Sequence, residues 1–425
     1  MSRRIGHRHA AIAAALVSVL VTVAGSVAAD PGPDVPPPTP VPPRGSPSPF
    51  PTVLATPAEA LAPPPISARG ALLADLETGE ILLERAADGP RPIASLTKIM
   101  TALVVRERAD LGDIVVVSPD AVFGPRDFGA GSTLGLRAGE RIRVEDLLYG
   151  MLLGSANDAA AALAIHVAGS EEAFVQLMNR RAARLGMRRT RFASVHGLDD
   201  RGRSTPRDLL RLIGAATADP TFNRITAARF RTIPGPGPDD RRIQNRNVLV
   251  WLYDGAFGAK TGTTAGAGPC VIATAVRDGR SLVSIVLHAA GEPFSDAASL
   301  LNYGFEGFTE TTVVRAGTPL GQVRIRGGRV ETAAGGDLLA SVPTTALDRI
   351  RAEILVDPAA VFPPAPGQRI GSVRYVTEEP ASVLGSVPLV VASVPPPAPE
   401  ERPWWLRALG AVGDAVRDAV AGLAS

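Results

Sequence analysis

Lysine occurs at only two positions in this chain, Lys98 and Lys260, and the other 42 of its 44 basic residues are arginines. A lysine amine can lose its proton in a dry site, whereas a guanidinium stays charged. Because arginine supplies the positive charge elsewhere in the chain, the two lysines are candidates for amines with a chemical role. The alternative is that two lysines survive by chance in an arginine-rich composition, so their surroundings must decide.

The first lysine lies in the segment IASLTKIMTALVV, whose apolar residues have helical spacing. Ser95 and Lys98 are three residues apart, so on a helix they lie on the same face. A serine becomes a nucleophile when a base takes its proton, and a lysine among apolar residues such as Ile99 can have its pKa lowered enough to serve. The pattern predicts a serine nucleophile with a lysine base, although S-x-x-K alone is weak evidence.

Two further motifs follow, and the second contains the other lysine. They are S-A-N, at Ser155, Ala156 and Asn157, and K-T-G, at Lys260, Thr261 and Gly262. We expect K-T-G to open a strand. Taken singly, each motif has a structural explanation, such as a turn serine, a capping asparagine or a turn glycine. In this order, however, they match the S-x-x-K, S-x-N and K-T-G set of the penicillin-interacting serine enzymes.

Within that group, the sequence from about residue 66 to residue 308 resembles the D-alanyl-D-alanine carboxypeptidases, the low-molecular-mass penicillin-binding proteins. Segments beyond the three motifs share the resemblance, among them DLETGEILLERAADGPRPIASLTKIMTALVV, STPRDLL, NRNVL and GAKTGTTAGAGPCVIATAVRDGRSLVSIVLH. The resemblance implies an α/β (α+β) fold, with a β-lactamase/transpeptidase-like catalytic domain and a small C-terminal all-β domain. It also implies removal of the terminal D-alanine from peptidoglycan stem pentapeptides ending in D-Ala-D-Ala, and acylation by β-lactam antibiotics.

The resemblance gives a catalytic role to four residues. Ser95 would attack the carbonyl between the two terminal D-alanines and form an acyl-enzyme, with Lys98 as the base that activates it. Ser155 would relay a proton to the leaving amine, and Asn157 would orient Lys98 and the substrate amide. Ala156 stands where the family frequently has glycine.

The substrate-binding residues that the resemblance implies lie in and beside K-T-G. Lys260 and Thr261 would help to bind the substrate carboxylate, and Gly262 and Thr263 continue the same strand. The backbone N–H groups of Thr263 and Ser95 would form an oxyanion hole. Family members commonly carry an arginine before the last helix of the catalytic domain, near that carboxylate, but HAAGEPFSDAASLL contains none.

Other functions share parts of this pattern. A class A β-lactamase uses a glutamate and a water to hydrolyse its acyl-enzyme, and the only glutamates soon after S-A-N are Glu171 and Glu172, which the resemblance places on a scaffold helix. A second alternative function is that of a DD-endopeptidase. A third is that of a catalytically impaired cell-wall binding protein, but such a protein would lack an amine or hydroxyl that is present here.

His196 could act as a general base, but we favour a structural role because Lys98 already supplies a base.

The ends of the chain are compositionally distinct from its middle. Basic residues, an apolar run and VAA before Asp30 predict a signal peptide, with an uncleaved anchor as the alternative. The predicted organisation is a signal peptide over 1–29, a disordered Pro-rich linker over 30–65, a catalytic domain over 66–309, a β-rich domain over 310–394, a second Pro-rich linker over 395–403 and an amphipathic helix over 404–425. We therefore expect an exported protein of the extracytoplasmic cell envelope.

Charge and cysteine content exclude several partners. After removal of residues 1–29, 41 basic and 42 acidic residues remain, which argues against a nucleic-acid partner. The single cysteine, Cys270, excludes an intramolecular disulfide and is expected to be a small buried hydrophobe. No Cys or His cluster has metal-ligand spacing, so neither a metal nor a cofactor is expected. The segment 404–425, with Trp404 and Trp405 near its start, would lie on the membrane surface or pack on its own protein.

Overall fold

The structure is a computed structural model that describes residues 62–123, 131–378 and 381–393. The predicted signal peptide, most of the first Pro-rich linker, the second linker and the C-terminal helix lie outside the described residues. Across the described residues, no helix has both the length and the apolar character needed to span a membrane.

Eight α-helices form within the described residues. They are α1 (Thr97–Arg106), α2 (Val144–Leu152), α3 (Asn157–Ala168), α4 (Glu171–Arg184), α5 (Pro206–Thr217), α6 (Pro220–Ala227), α7 (Leu249–Leu252) and α8 (Pro293–Gly307). The alanine-rich sequence of residues 145–186 predicts a mostly helical stretch broken at the S-A-N turn, and α2, α3 and α4 lie there. Helix α1 is buried along all but its last residue. Burial on every side shows that this helix lies inside the protein rather than on its surface.

The described strands are mostly short and antiparallel. They are β1 (Gly70–Asp75), β2 (Ile81–Arg85), β3 (Arg91–Pro92), β4 (Ile114–Val116), β5 (Arg141–Arg143), β6 (Arg203–Ser204), β7 (Phe230–Ile233), β8 (Arg241–Gln244), β9 (Ala256–Thr264), β10 (Gly268–Arg277), β11 (Arg280–Leu287), β12 (Phe308–Val314), β13 (Pro319–Ile325), β14 (Gly328–Ala334), β15 (Leu338–Pro343), β16 (Ile350–Val356), β17 (Arg369–Glu378) and β18 (Ala381–Ser393).

The first large sheet has the strand order β2-β1-β11-β10-β9. The segments ETGE and RDGR, each between two short apolar runs, predict two hairpins, and both are confirmed: β1 pairs with β2, and β10 pairs with β11. Asp278 and Gly279 join the second pair with φ values of 50° and 85°, as a type I′ turn requires. The expectation that K-T-G opens a strand is wrong, because β9 begins at Ala256, where its first residues already pair with the far end of β10.

Helices cover both faces of this sheet. Along β1, Leu72 and Ala74 pack into the larger hydrophobic core, which contains α1 and its neighbouring helices. Ala71 and Leu73 point the other way, into a second core with α8. Alternation of side chains along a strand explains this division, since successive residues face opposite sides of a sheet. The result is a three-layer arrangement with the sheet in the middle.

The strands after residue 307 form a second structural region with a hydrophobic core of its own. Its main sheet has the order β13-β14-β18-β17-β16, and β12 pairs with β15. Arg280 ties this region to the first sheet: its guanidinium forms an ion pair of 3.0 Å with buried Asp75 and donates to Ser341 Oγ at 2.8 Å. The predicted all-β character is therefore confirmed, whereas the boundaries at 310 and 394 stay a prediction.

Candidate active site

The three motifs meet at one pocket of about 140 Å³ between the helical layer and β9. Its lining residues are Ser95, Gly131, Ser132, Ser155, Asn157, Leu198, Arg246, Thr261, Gly262 and Thr263. The two lysines lie against this pocket with side chains that are almost inaccessible to solvent, Lys98 at 0% and Lys260 at 1% exposure. The structure thus brings all eight residues predicted for the site together.

Ser95 lies in a short 3-10 turn, Ala94–Leu96, that leads directly into α1. Two glycines let other segments approach this turn closely. A Cβ on Gly197 would lie 1.9 Å from the Ala94 carbonyl oxygen, and a Cβ on Gly262 would lie 2.8 Å from the Ser95 backbone nitrogen. Ala94 itself has a φ of 47°, a strained value for a residue with a side chain. Close contact from a loop and from β9 therefore holds the Ser95 turn in an unusual shape.

The Lys98 amine has three polar neighbours. Its Nζ is 3.0 Å from Ser95 Oγ, 2.6 Å from Asn157 Oδ1 and 2.7 Å from the His196 carbonyl oxygen. Within the described part of the chain, no carboxylate forms an ion pair with this amine. Burial holds the pKa of Lys98 well below its ordinary value, the positive charges of Lys260 and Arg246 lower it further, and Asp158 opposes them.

The S-A-N turn supplies the opposite wall. Ser155 adopts a φ of 61° between α2 and α3, another strained value for a residue other than glycine. Asn157 begins α3, and its backbone N–H donates to the Ser132 carbonyl at 2.7 Å. The next residue, Asp158, is buried and accepts the N–H groups of Leu134 and Leu136. These bonds fix the segment that contributes Gly131 and Ser132 to the pocket.

Lys260 lies in the middle of β9, beside Thr261 in the pocket wall. Its Nζ donates to the Thr261 carbonyl oxygen at 2.9 Å. Burial, followed by the charge of Arg246, lowers the pKa of Lys260 to about 7. Near neutral pH this lysine therefore exists in both charged and neutral forms, and an anion bound beside it would favour the charged form.

Arg246 lines the pocket, although none of the three motifs predicts a role for it. It stands in the NRNVL segment between Asn245 and Asn247, whose side chains are 5% and 2% exposed. The Asn245 amide donates to the carbonyls of Thr226 and Ala228, and the Asn247 amide donates to the Gly258 carbonyl on β9. An arginine between two asparagines was the available signal, because the asparagines anchor the segment and leave the guanidinium at the pocket.

The His196 ring makes no described hydrogen bond to Ser95 or Lys98. Its Nδ1 accepts the Leu198 N–H at 3.2 Å, so the neutral ring carries its proton on Nε2, 3.7 Å from Glu171 Oε2. Burial, and then the charge of Lys98, lower the pKa of His196 to about 4. Near neutral pH the ring is uncharged, and this residue reaches Lys98 through its backbone carbonyl.

The loop that contains His196 is also fastened to the end of β9. The Asp200 carboxylate accepts the Thr264 hydroxyl and, at 3.1 Å, the Gly266 N–H. The neighbouring Asp199 pairs instead with Arg201 of its own loop. Asp200 therefore joins the two walls of the cleft just beyond Thr263.

The chain is similar to a known protein family and to several named relatives. The profile of the D-alanyl-D-alanine carboxypeptidase family matches residues 57–291. The D-alanyl-D-alanine carboxypeptidase DacC of Escherichia coli (strain K12) is 35% identical over 338 residues, which cover 73% of this chain and 80% of that protein. Two solved structures are also similar. Penicillin binding protein 5 from Haemophilus influenzae has 29% identity and a TM-score of 0.65, covering 78% of this chain and 98% of that one. Penicillin binding protein 6B from Escherichia coli has 31% identity and a TM-score of 0.62, covering 78% of this chain and 97% of that one.

The two solved structures confirm the fold class, a β-lactamase/transpeptidase-like region followed by a C-terminal β region. The family match spans all three motifs, and the DacC match covers most of both chains. The chain therefore belongs to the D-alanyl-D-alanine carboxypeptidase family.

Proposed function

We propose that this protein is a serine-type hydrolase that removes the terminal D-alanine from peptidoglycan stem pentapeptides and that β-lactams acylate at the same serine. The observation that carries the proposal is the buried Lys98 amine, 3.0 Å from Ser95 Oγ and without an ion-pair partner among the described carboxylates. Desolvation favours the neutral form of such an amine, and a neutral amine can accept the proton of a serine hydroxyl.

The hydrogen-bond partners of Lys98 support its role as the base. A neutral lysine amine has two hydrogens and one lone pair. The Asn157 Oδ1 and the His196 carbonyl oxygen can only accept, so each takes one of the two hydrogens. The lone pair then remains for the third neighbour, and the Ser95 hydroxyl donates to it. Asn157 and the His196 carbonyl thus orient Lys98 as a base toward Ser95.

The reaction follows from these positions. Ser95 Oγ attacks the carbonyl carbon of the penultimate D-alanine while its proton passes to Lys98. Two backbone N–H groups, of Ser95 and Thr263, stabilise the negative oxygen that develops. The carbon–nitrogen bond then breaks, and Ser155 passes a proton to the departing amine. Water attacks the acyl-enzyme in the second half of the cycle and releases the shortened peptide.

Recognition of the substrate carboxylate is assigned to Lys260 and Thr261 together with Arg246. Arg246 lines the pocket and makes no ion pair with a described carboxylate, so its charge is available to a ligand. A guanidinium suits a carboxylate because it can offer two parallel N–H donors. On this assignment Arg246 takes the place of the arginine that is missing before α8.

The alternative of a β-lactamase-like hydrolase is disfavoured by where its candidate glutamates lie. Glu171 and Glu172 begin α4 and border a different cavity, together with Asp120 and Ser194. Neither lines the pocket that holds Ser95. An impaired binding protein is disfavoured because every amine and hydroxyl of the three motifs is present.

We further propose that the protein is exported to the cell envelope and that residues 404–425 contact the outer face of the cytoplasmic membrane. The apolar start of the chain and the paired tryptophans at 404 and 405 support this location. Membrane contact by residues 404–425 can be tested by flotation with vesicles. Two proteins are compared, residues 30–425 and residues 30–399. Equal flotation of the two would remove the helix as the anchor.

Incubation with a peptide ending in D-Ala-D-Ala, and separately with penicillin, tests the enzymatic proposal. We expect release of free D-alanine, and a mass increase equal to one penicillin on the peptide fragment that contains Ser95. Ser95→Ala should abolish both, with circular dichroism to confirm that the variant is folded. Undiminished labelling of folded Ser95→Ala would overturn the assignment of the nucleophile.

A further inference from the structure

The segment from β8 to Arg246 carries a row of polar side chains that leads away from the active-site pocket. Burial alternates along it: Ile243 and Asn245 are buried, whereas Arg242, Gln244 and Arg246 are exposed. Because alternate residues of an extended chain share a face, the three exposed residues lie on one side, with ~7 Å between successive members where the strand is regular. The row begins inside the pocket, at Arg246, and ends at Arg242.

A second cavity, of about 530 Å³, lies beside this row. Its lining includes Arg242, Gln244 and Arg246 on one side and Gly154 and Ala156 of the S-A-N turn on the other. Arg246 lines both this cavity and the active-site pocket. Ala156 borders the larger cavity, while its neighbours Ser155 and Asn157 line the pocket, so the two spaces meet along the S-A-N turn and Arg246.

The proposed function indicates which end of the substrate faces the larger cavity. Ser155 is assigned to the leaving amine and Arg246 to the carboxylate of the leaving residue. The acyl part of the substrate, by contrast, lies at the oxyanion donors of Ser95 and Thr263. The larger cavity therefore adjoins the leaving group, and a leaving group longer than D-alanine would extend into it.

The charges along the hairpin of β7 and β8 are suited to an anion. Arg241 is neutralised by Glu140 at 2.6 Å, and Arg231 by Asp146 at 3.1 Å. Arg242 instead stacks over Phe230, with its guanidinium carbon 4.3 Å from the ring centroid, and forms no ion pair with a described carboxylate. Phe230 is 42% exposed, so it adds an apolar surface beside the free charge.

We propose that this cavity is a leaving-group subsite for D-amino acids that bear a long anionic side chain, with Arg242 as the residue that recognises the distal carboxylate. The inference rests on the proposed function and extends its substrate range. The bonds formed and broken are unchanged: Ser95 Oγ joins the carbonyl carbon, the amine leaves with a proton, and water hydrolyses the acyl-enzyme.

Three peptides with the same acyl part test the subsite. They end in D-Ala-D-Ala, in D-Ala followed by Nε-succinyl-D-lysine, and in D-Ala followed by Nε-succinamoyl-D-lysine. The last two have side chains of equal length and differ in a terminal carboxylate against a terminal amide. We expect wild-type protein to prefer the succinyl over the succinamoyl peptide ~2- to 5-fold in kcat/KM, the range of an exposed charge pair. The preference should shrink with added salt.

Arg242→Gln should abolish the succinyl preference, mainly through KM. Arg324→Gln is the matched control, because Arg324 is an exposed arginine on β13, outside the site and its cavity. The proposal is overturned if wild-type protein cleaves neither D-lysine peptide, if it does not discriminate between them, or if folded Arg242→Gln retains the preference. Failure of the proposed function would look different, because D-Ala-D-Ala cleavage and acylation of Ser95 would then also be missing.

Discussion

Strands β9 and β16 are both edge strands of five-stranded antiparallel sheets, yet the molecule uses them differently. β9 is buried or half-buried at every residue except Thr263, because the Ser95 turn and α6 lie against it. β16 is exposed along nearly its whole length and carries charged residues, of which Arg351 pairs with Glu378 and Glu353 with Arg374. Charges are a common protection of a free edge against pairing with another chain. One edge is thus covered and carries the site, and the other is shielded by charge.

In the part of the chain that the structure describes, strained backbone conformations also occur in the region of β9 and not in the region of β16. All five described residues other than glycine with a positive φ precede the second region, and two of them, Ala94 and Ser155, belong to the site. Strained conformations persist only where the surrounding structure over-determines them, and they cluster at functional sites. Changes around β9 are therefore expected to alter chemistry, whereas changes around β16 should alter little beyond local packing.

The largest effect is expected from exchanging the two lysines for arginine. Lys98→Arg keeps the charge but removes the neutral form, so penicillin acylation and peptide cleavage should fall by ~10²- to 10⁴-fold. Lys260→Arg should retain more activity, since an arginine can face a carboxylate, though with a larger group than the site holds now. Acylation rates of both variants, with circular dichroism as the folding check, measure the difference. Near wild-type acylation by folded Lys98→Arg would show that the proton goes elsewhere.

Arg246→Gln should give the next largest effect. Loss of a carboxylate contact should raise KM for D-Ala-D-Ala peptides about 10-fold. Because the Arg246 charge lowers the pKa of Lys98, its removal should raise that pKa. Lys98 acts as the neutral amine, so the acid limb of the acylation profile should move to higher pH. Arg324→Gln is the control, and an acid limb that stays in place in Arg246→Gln would contradict the coupling.

A smaller effect is expected at the far end of β9. Asp200→Asn weakens the link to Thr264 and Gly266, which should displace the Thr263 N–H and slow acylation ~3- to 10-fold with little change in KM. Asp199→Asn is the matched control, because that carboxylate contacts its own loop. Thr264→Val should reproduce the loss, and the double variant should add little to it. If the two aspartate variants behave alike, the link does not position the strand.

The smallest effect on activity is expected at β16. Leu355 is 50% exposed, so Leu355→Ala should change the free energy of unfolding by less than about 0.5 kcal/mol and leave D-alanine release as it was. Leu389 lies in the same sheet but is fully buried, and Leu389→Ala should cost about 2–5 kcal/mol. Chemical denaturation compares the two. A loss of D-alanine release in Leu355→Ala would show that the second region takes part in function.

Local patterns predicted much of the fold. The turn at Asp278 and Gly279, the strands on either side of it and the helices around S-A-N are set by residue type and by periods of two or 3.6 residues. The sequence also singled out eight residues that the structure brings together, because a lysine in an arginine-rich chain and three motifs in a fixed order are visible without coordinates. The start of β9 was missed, because Ala256 and its neighbours join the strand through pairing with β10.

The residue types alone predict which side chains carry the chemistry of the candidate site, because the chemistry of a side chain does not depend on the fold. The surroundings of those side chains depend on how distant segments pack together. The His196 carbonyl that orients Lys98 comes from 98 residues away, and every residue has a carbonyl, so no residue type could reveal it. The lowered pKa values of Lys98 and Lys260 likewise depend on burial and on Arg246, and burial is a property of the packed chain rather than of any segment of it.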